Sequence, residues 1–342
     1  LEFRRVLFRS DGWGTVYKID ARNPNKATFV WTANPGTQAE GNQPLTRGFA
    51  LWEDKVITNN IDGRVLAINR DSGEVIWDKQ VAVANEFGSR ERFLTAPMTI
   101  EGKAIVANGA GDGATRGWLA ALDIATGNQV WRWYVVPAPG EPGSETWKDD
   151  HNAWKTGGGG LWQTGSYDPE QRLTIWGTGN PVPIYDPEFR PGDNLYTNSA
   201  VALNVDSGKL AWYFQYTPND SWDYDENGVH MLYDLVIDGQ ARKVVGHFGR
   251  NGFFYSLDRT NGSFIKASQY ANELTWTKGL DPKTGKPVEY NPSIAMQTYI
   301  PSTRTLRGDG DERTCPTWHG GVAHQPTAYN PVKKIDRKST RL

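Results

Sequence analysis

A pattern that recurs four times constrains this chain more than any other feature. Gly63–Trp77 reads GRVLAINRDSGEVIW, and Gly117–Trp131 reads GWLAALDIATGNQVW. Ser199–Trp212 reads SAVALNVDSGKLAW, and Gly252–Lys266 reads GFFYSLDRTNGSFIK, with Lys266 in the place of the Trp. A degenerate copy spans Gly14–Trp31. Each copy is an alternating apolar run, an Asp/Asn-x-x-x-Gly turn and a second run ending on the Trp. Alternation at period two marks a half-buried strand, and glycine supplies the positive φ of the turn. The slots at 77, 131, 212 and 266 are 54, 81 and 54 residues apart. A period of roughly 50 built from short strands predicts the four-stranded blades of a β-propeller. One blade cannot bury both its faces, so neighbours must stack to form a core. The all-β reading therefore takes residues 11–335 as one partial propeller of about five or six blades. The Pro/Gly-rich stretch Pro137–Gly160 is read as a long loop inserted into one blade.

Composition narrows the class. Of 342 residues, 38% are apolar and 22% charged, with 37 Gly and 20 Pro, which describes a turn-rich globular chain rather than a disordered one. A net charge of -2 leaves no basic excess, so neither nucleic acid nor an anionic membrane is favoured as a partner. No apolar run is long enough to span a bilayer. The single cysteine, Cys315, excludes an internal disulfide and a Cys-based zinc site. The two ends read differently from the rest. Arg5–Ser10 (RVLFRS) and Asp336–Arg341 (DRKSTR) can be encoded by opposite strands of one oligonucleotide, shifted by one base. Residues 1–10 and 336–342 are therefore read as adapter-derived flanks outside the native fold.

The words around the repeat carry a resemblance. They are TRG (Thr46–Gly48), ATRGWLAALD (Ala114–Asp123), VPAPGEPGSETW (Val136–Trp147) and GSYDP (Gly165–Pro169). WGTGNPVP (Trp176–Pro183), RPGDNLYT (Arg190–Thr197), QYTPNDSWDYD (Gln215–Asp225) and GRNGFFYSLDR (Gly249–Arg259) follow in order. Together they resemble the pyrroloquinoline quinone (PQQ)-dependent alcohol dehydrogenases, the quinoprotein methanol and ethanol dehydrogenase family. The resemblance implies an eight-bladed quinoprotein propeller, of which this chain is the front and middle. It implies oxidation of a primary alcohol to an aldehyde, by metal-assisted hydride transfer to the quinone with an Asp as general base. It further implies a cytochrome c acceptor, separate or fused, and a periplasmic location.

The resemblance also assigns residues. Asp223 is the expected general base and a metal ligand, with Asn180 as an amide-oxygen ligand. Asp112 stands where the family usually has a Glu ligand. Asp225, two residues past Asp223, matches the extra Asp of lanthanide-using members, so a lanthanide ion is placed ahead of Ca2+. Trp162, after Gly157–Gly160 and outside the repeat slots, matches the indole that stacks on the quinone. Arg47 matches the arginine that pairs with a cofactor carboxylate, and Arg250 the cation beside the reactive carbonyl. Thr95, Gly109, Ala110 and Gly111 are further cofactor candidates. Gly109–Gly113 also resembles a dinucleotide fingerprint, but no βαβ unit surrounds it.

Three departures stand out. Gly41 and Asn42 replace the family's adjacent-Cys disulfide. Ala323-His324-Gln325-Pro326 replaces an Asn-Trp motif. A carboxylate-binding Glu near the family N-terminus and Trp contacts in late blades would fall outside this chain. Apart from the family pattern, Asp309-Gly-Asp311-Glu312 lacks the spacing of an EF-hand and reads as a solvated loop. Two other functions use the same repeat, a cofactor-free scaffold of the outer-membrane assembly type and a quinoprotein sugar dehydrogenase. The off-repeat set Arg47, Trp162, Asn180, Asp223 and Arg250 is what separates the enzyme from the scaffold.

Overall fold

The computed structural model describes residues 6–23, 25–38, 45–308, 313–323, 325–330, 332–333 and 335–338. Strands follow one another as antiparallel meanders, one per blade. The first blade has three strands, β1 (Val6–Ser10), β2 (Val16–Asp20) and β3 (Thr28–Ala33). The second has β4 (Phe49–Trp52), β5 (Lys55–Asn59), β6 (Arg64–Asn69) and β7 (Val75–Gln80). The third has β8 (Met98–Ile100), β9 (Lys103–Ala107), β10 (Trp118–Asp123) and β11 (Gln129–Tyr134). The fourth has β12 (Ser166–Asp168), β13 (Leu173–Gly177), β14 (Ser199–Asn204) and β15 (Leu210–Gln215). The fifth has β16 (Met231–Ile237), β17 (Gln240–Phe248), β18 (Phe253–Asp258) and β19 (Phe264–Gln269), and β20 (Thr327–Asn330) pairs with β21 (Ile335–Lys338). This matches the expected run of four-stranded blades. Val6–Ser10, read from the sequence as lying outside the fold, pairs along its whole length with β2. Among the described residues no helix is long and apolar enough to cross a membrane.

Middle strands such as β13 and β14 are buried almost throughout, because a neighbouring blade covers each face. The repeat tryptophans make that stacking specific. Trp31, Trp77, Trp131 and Trp212 each donate the indole N–H to a carbonyl of the next blade, on Arg70, Ile124, Val205 and Arg259. Each ring also lies flat against the turn glycine of that blade. A Cβ on Gly73, Gly127, Gly208 or Gly262 would stand 2.5–2.8 Å from the nearest ring carbon of Trp31, Trp77, Trp131 or Trp212 in turn. The Gly of the repeat is thus needed twice, for its positive φ and as the seat of the preceding blade's indole.

Lys266 does not follow this pattern. It is exposed, and Phe264, two residues earlier on the same strand, packs on Gly285 instead. Gly285 closes Asp281-Pro-Lys-Thr-Gly, a further copy of the turn that the sequence reading missed. Its N–H bonds the Asp281 carbonyl at 2.8 Å, as that of Gly73 bonds Asn69 at 2.9 Å.

The Pro137–Gly160 insertion is an ordered loop with its own small core of Val136, Trp147 and Ala153. It returns through four glycines pressed onto the Gly109–Gly117 segment. A Cβ on Gly111 would lie 2.5 Å from the Gly160 nitrogen, and one on Gly117 1.9 Å from the Gly159 oxygen. Two backbones this close tolerate only glycine. The close approach that Gly111 permits is therefore to this loop, and it delivers Trp162 to the start of β12.

Candidate active site

In an antiparallel meander the segment entering the first strand and the loop leaving the second lie at the same end. Arg47, Thr95, Trp162 and Asp223–Asp225 all precede first strands, β4, β8, β12 and β16. Gly109–Asp112, Asn180 and Arg250 all follow second strands, β9, β13 and β17. Topology alone gathers them at one end of the propeller, and the side chains then meet.

Asp225 is the hub. Its Oδ1 accepts the Asn180 backbone N–H at 2.7 Å, and its Oδ2 accepts the Trp162 indole N–H at 2.8 Å. Arg250 Nη2 lies 3.2 Å from the same Oδ2. Arg250 Nη1 donates to the Asp223 carbonyl at 2.7 Å and to the Trp318 carbonyl at 3.1 Å, and lies 3.6 Å from Asp223 Oδ1. Trp162 has a cation on either count, with the Arg47 guanidinium 5.2 Å and that of Arg250 5.5 Å from a ring centroid. Asp223, Asp225 and Arg250 are all buried, and Asp223 holds a left-handed φ of 67°. Burial first, and then the Asp225 charge, push the Asp223 carboxyl up to about 8, while Arg250 pulls the other way. Asp112 is exposed and lies near Asn180, whose amide favours its charged form. Crowding by protein atoms and the Asp225 charge raise its pKa.

The remaining candidates form a neighbouring group. Arg47 donates to the Leu94 carbonyl at 2.6 Å, and the Thr95 hydroxyl pairs with that of Thr164 at 2.7 Å. Gly109, Ala110 and Asp112 line an open cavity of about 570 Å³ together with Arg90, Arg92 and Leu94. Gly41, Asn42, His324, Asp309, Asp311 and Glu312 lie outside the described residues.

Sequence reasoning missed four contributors. Asn227 clamps Trp162, accepting its backbone N–H at 2.9 Å and donating to the Gly160 carbonyl at 3.1 Å. Asp220, fully buried, caps the backbone N–H groups of Trp222 and Tyr224 at 3.1 Å each. Glu226 and His247 form a buried pair beneath the site. The available signal was the density of polar residues in Asn219–Asn227, where a strand-rich chain would otherwise alternate.

Asp223 Oδ1 and Arg250 Nε are buried without a hydrogen-bond partner. A buried polar atom left unpaired costs roughly 1–3 kcal/mol, so such atoms are suited to a ligand. Two arginines beside an indole suit a flat polyanion such as PQQ, and amide plus carboxylate oxygens suit a hard cation. Among the described residues no three Asp, Glu, His or Cys side chains converge as a ready metal cage. The donor set is thus a mixed one that includes Asn180.

Residues 3–269 match the family described as PQQ, glucose/ethanol/alcohol dehydrogenase, β-propeller domain. Quinohemoprotein alcohol dehydrogenase ADH IIB of Pseudomonas putida is 38% identical over 304 residues, 83% of this chain and 42% of the relative. Quinoprotein alcohol dehydrogenase PedH of Pseudomonas putida is 36% identical over 342 residues, 95% of this chain and 55% of the relative. A europium-containing methanol dehydrogenase structure superposes with a TM-score of 0.85 at 29% identity, over 98% of this chain and 59% of the other. The chain spans about half the length of the curated relatives it matches.

Proposed function

The chain belongs to the PQQ family of glucose/ethanol/alcohol dehydrogenase β-propellers, and from that premise we propose that its clustered residues serve oxidation of a primary alcohol to an aldehyde. The observation that carries this reading is the pair of buried atoms without a hydrogen-bond partner, Asp223 Oδ1 and Arg250 Nε, in the side-chain cluster that also holds Trp162. PQQ, when bound, supplies a flat tricarboxylate whose carbonyl accepts the two electrons of the oxidation. Arg47 and Arg250 supply positive charge for the carboxylates, and Trp162 a stacking surface. Asp223 takes the hydroxyl proton of the alcohol, with Oδ1 free to receive it. Arg250, held by two backbone carbonyls, is oriented in advance to offset negative charge developing beside it. Asn180, Asp223, Asp225 and Asp112 are the proposed oxygen donors to a lanthanide or calcium ion. The europium-containing relative supports a trivalent ion. A cytochrome c is the proposed acceptor, supported by the quinohemoprotein names of relatives, and the periplasm the proposed compartment.

Binding is tested on this chain by quenching of tryptophan fluorescence on addition of PQQ, with La3+ or Ca2+ present. Turnover is read in the whole protein with an artificial electron acceptor and a series of alcohols. Asp223→Asn is expected to abolish turnover while the chain keeps its unfolding midpoint and its PQQ affinity. Failure of the chain to bind PQQ, or full turnover by Asp223→Asn, overturns the reading.

A further inference from the structure

A buried acid–imidazole pair joins the two loops that carry the charges of the site. Glu226 directly follows Asp225, and His247 lies three residues before Arg250. Glu226 Oε2 and His247 Nε2 are 2.7 Å apart, with side chains 0% and 1% exposed. The Arg250 backbone N–H faces the same carboxyl and favours its charged form, against the burial that opposes it. The pair is braced from behind. His230 stacks on His247 with ring centroids 4.1 Å apart and planes 5° from parallel. His230 Nδ1 faces the Gly228 carbonyl at 2.9 Å, so it carries the proton, and Nε2 then accepts from the Tyr216 hydroxyl at 3.1 Å.

The packing leaves no slack. A Cβ on Gly177 would stand 1.8 Å from the Glu226 carbonyl oxygen and 2.8 Å from His230 Cε1. One on Gly249 would stand 3.0 Å from Glu226 Oε2. The loop bearing Asp223 and Asp225 is thus locked to the end of β17, where Gly249, the residue before Arg250, packs on the Glu226 carboxyl.

We propose, resting on the site reading above, that Glu226 and His247 are positioning residues: they set where Arg250 stands against Asp223 and Asp225, and so set the affinity of the site for its cation and its polyanionic cofactor. Both side chains are fully buried and neither is among the proposed ligand donors, so their effect is exerted through Arg250 and Asp225. Losing a partner of this kind typically weakens a metal site about 10- to 100-fold.

The double variant Glu226→Leu/His247→Leu separates position from stability. Removing both partners avoids leaving either one of the pair unpaired, and the unfolding midpoint of the variant checks that it folds despite losing the contact to the Arg250 backbone N–H. Binding of Tb3+, read by tryptophan-sensitised luminescence, and of PQQ, read by fluorescence quenching, is expected to weaken at least about tenfold. Glu226→Gln keeps an acceptor of the same length and is expected to restore most of that affinity. A readout that needs no ligand is the Trp162 indole N–H resonance in a 15N-tryptophan-labelled chain, identified by its loss in Trp162→Phe. It reports the bond to Asp225 and is expected to move in the double variant and return in Glu226→Gln. An unmoved resonance with wild-type Tb3+ affinity in the folded double variant overturns the proposal. If the parent chain binds neither PQQ nor Tb3+, the functional reading falls, while a resonance that moves still establishes the strut.

Discussion

Asp225 illustrates how one carboxylate can organise a site. Both its oxygens are engaged by groups from two other segments, the Asn180 backbone and the Trp162 indole, 45 and 63 residues away in sequence. Such charge-assisted bonds are short and directional, so they fix the indole plane as well as the charge. A different, half-buried cation lies away from this site. Lys286 donates to the Gln215 carbonyl and lies 4.8 Å from the Phe214 ring centroid. Burial lowers its pKa from 10.5 to about 8, with Asp193 opposing. Between those two values the unfolded chain holds a proton that the folded chain has released. The contribution of Lys286 therefore rises with pH across that window and is smallest below it. The stability of the parent chain relative to Lys286→Met is expected to rise from pH 8 towards 10.5, as measured by urea unfolding at each pH. A flat difference refutes this.

At the scale of the element, a blade is defined as much by its neighbour as by its own strands. The indole of one blade lies on the turn glycine of the next, and its N–H finds a carbonyl there. Gly208 has a φ of 68° and the ring carbon of Trp131 is 2.5 Å from where a Cβ would sit. Gly208→Ala is expected to cost about 2–4 kcal/mol, through left-handed strain and displacement of the ring. Gly73→Ala should cost less, because Trp31 is half-buried and can move. Equal losses in denaturant titrations would argue against ring displacement as the cause. The exception at Lys266 follows from the same logic. The next turn, Asp281–Gly285, belongs to an irregular segment rather than a four-stranded blade, and Phe264 meets its glycine from two residues earlier.

The whole molecule is a row of stacked sheets, each in contact mainly with its neighbours, so its stability should be graded along the row. The strands of the first blade are largely exposed or half-buried, whereas β10, β13 and β14 are buried along almost their whole length. Hydrogen exchange read by mass spectrometry is expected to be fastest in 6–33 and slowest in 118–123, 173–177 and 199–204. Uniform exchange across the chain would mean that the blades unfold as one unit.

The amino-acid sequence alone determined the period-two strands, the Asp/Asn-x-x-x-Gly turns, the Trp slots and hence a propeller of about five or six blades. It also marked Arg47, Trp162, Asn180, Asp223, Asp225 and Arg250, which the fold brings together at one end. These features are legible because alternation, turn glycines and short family words act within about ten residues, where backbone sterics dominate. What the tertiary structure decided is who touches whom. It put Asp225 against the Trp162 indole N–H and packed Gly111 and Gly117 on Gly158–Gly160, some 40 residues later. It let Phe264 replace Lys266, and it paired Glu226 with His247 across 21 residues. Those choices follow from desolvation. A buried polar group must find a partner wherever stacking leaves one, and no local pattern in the chain specifies which segment that will be.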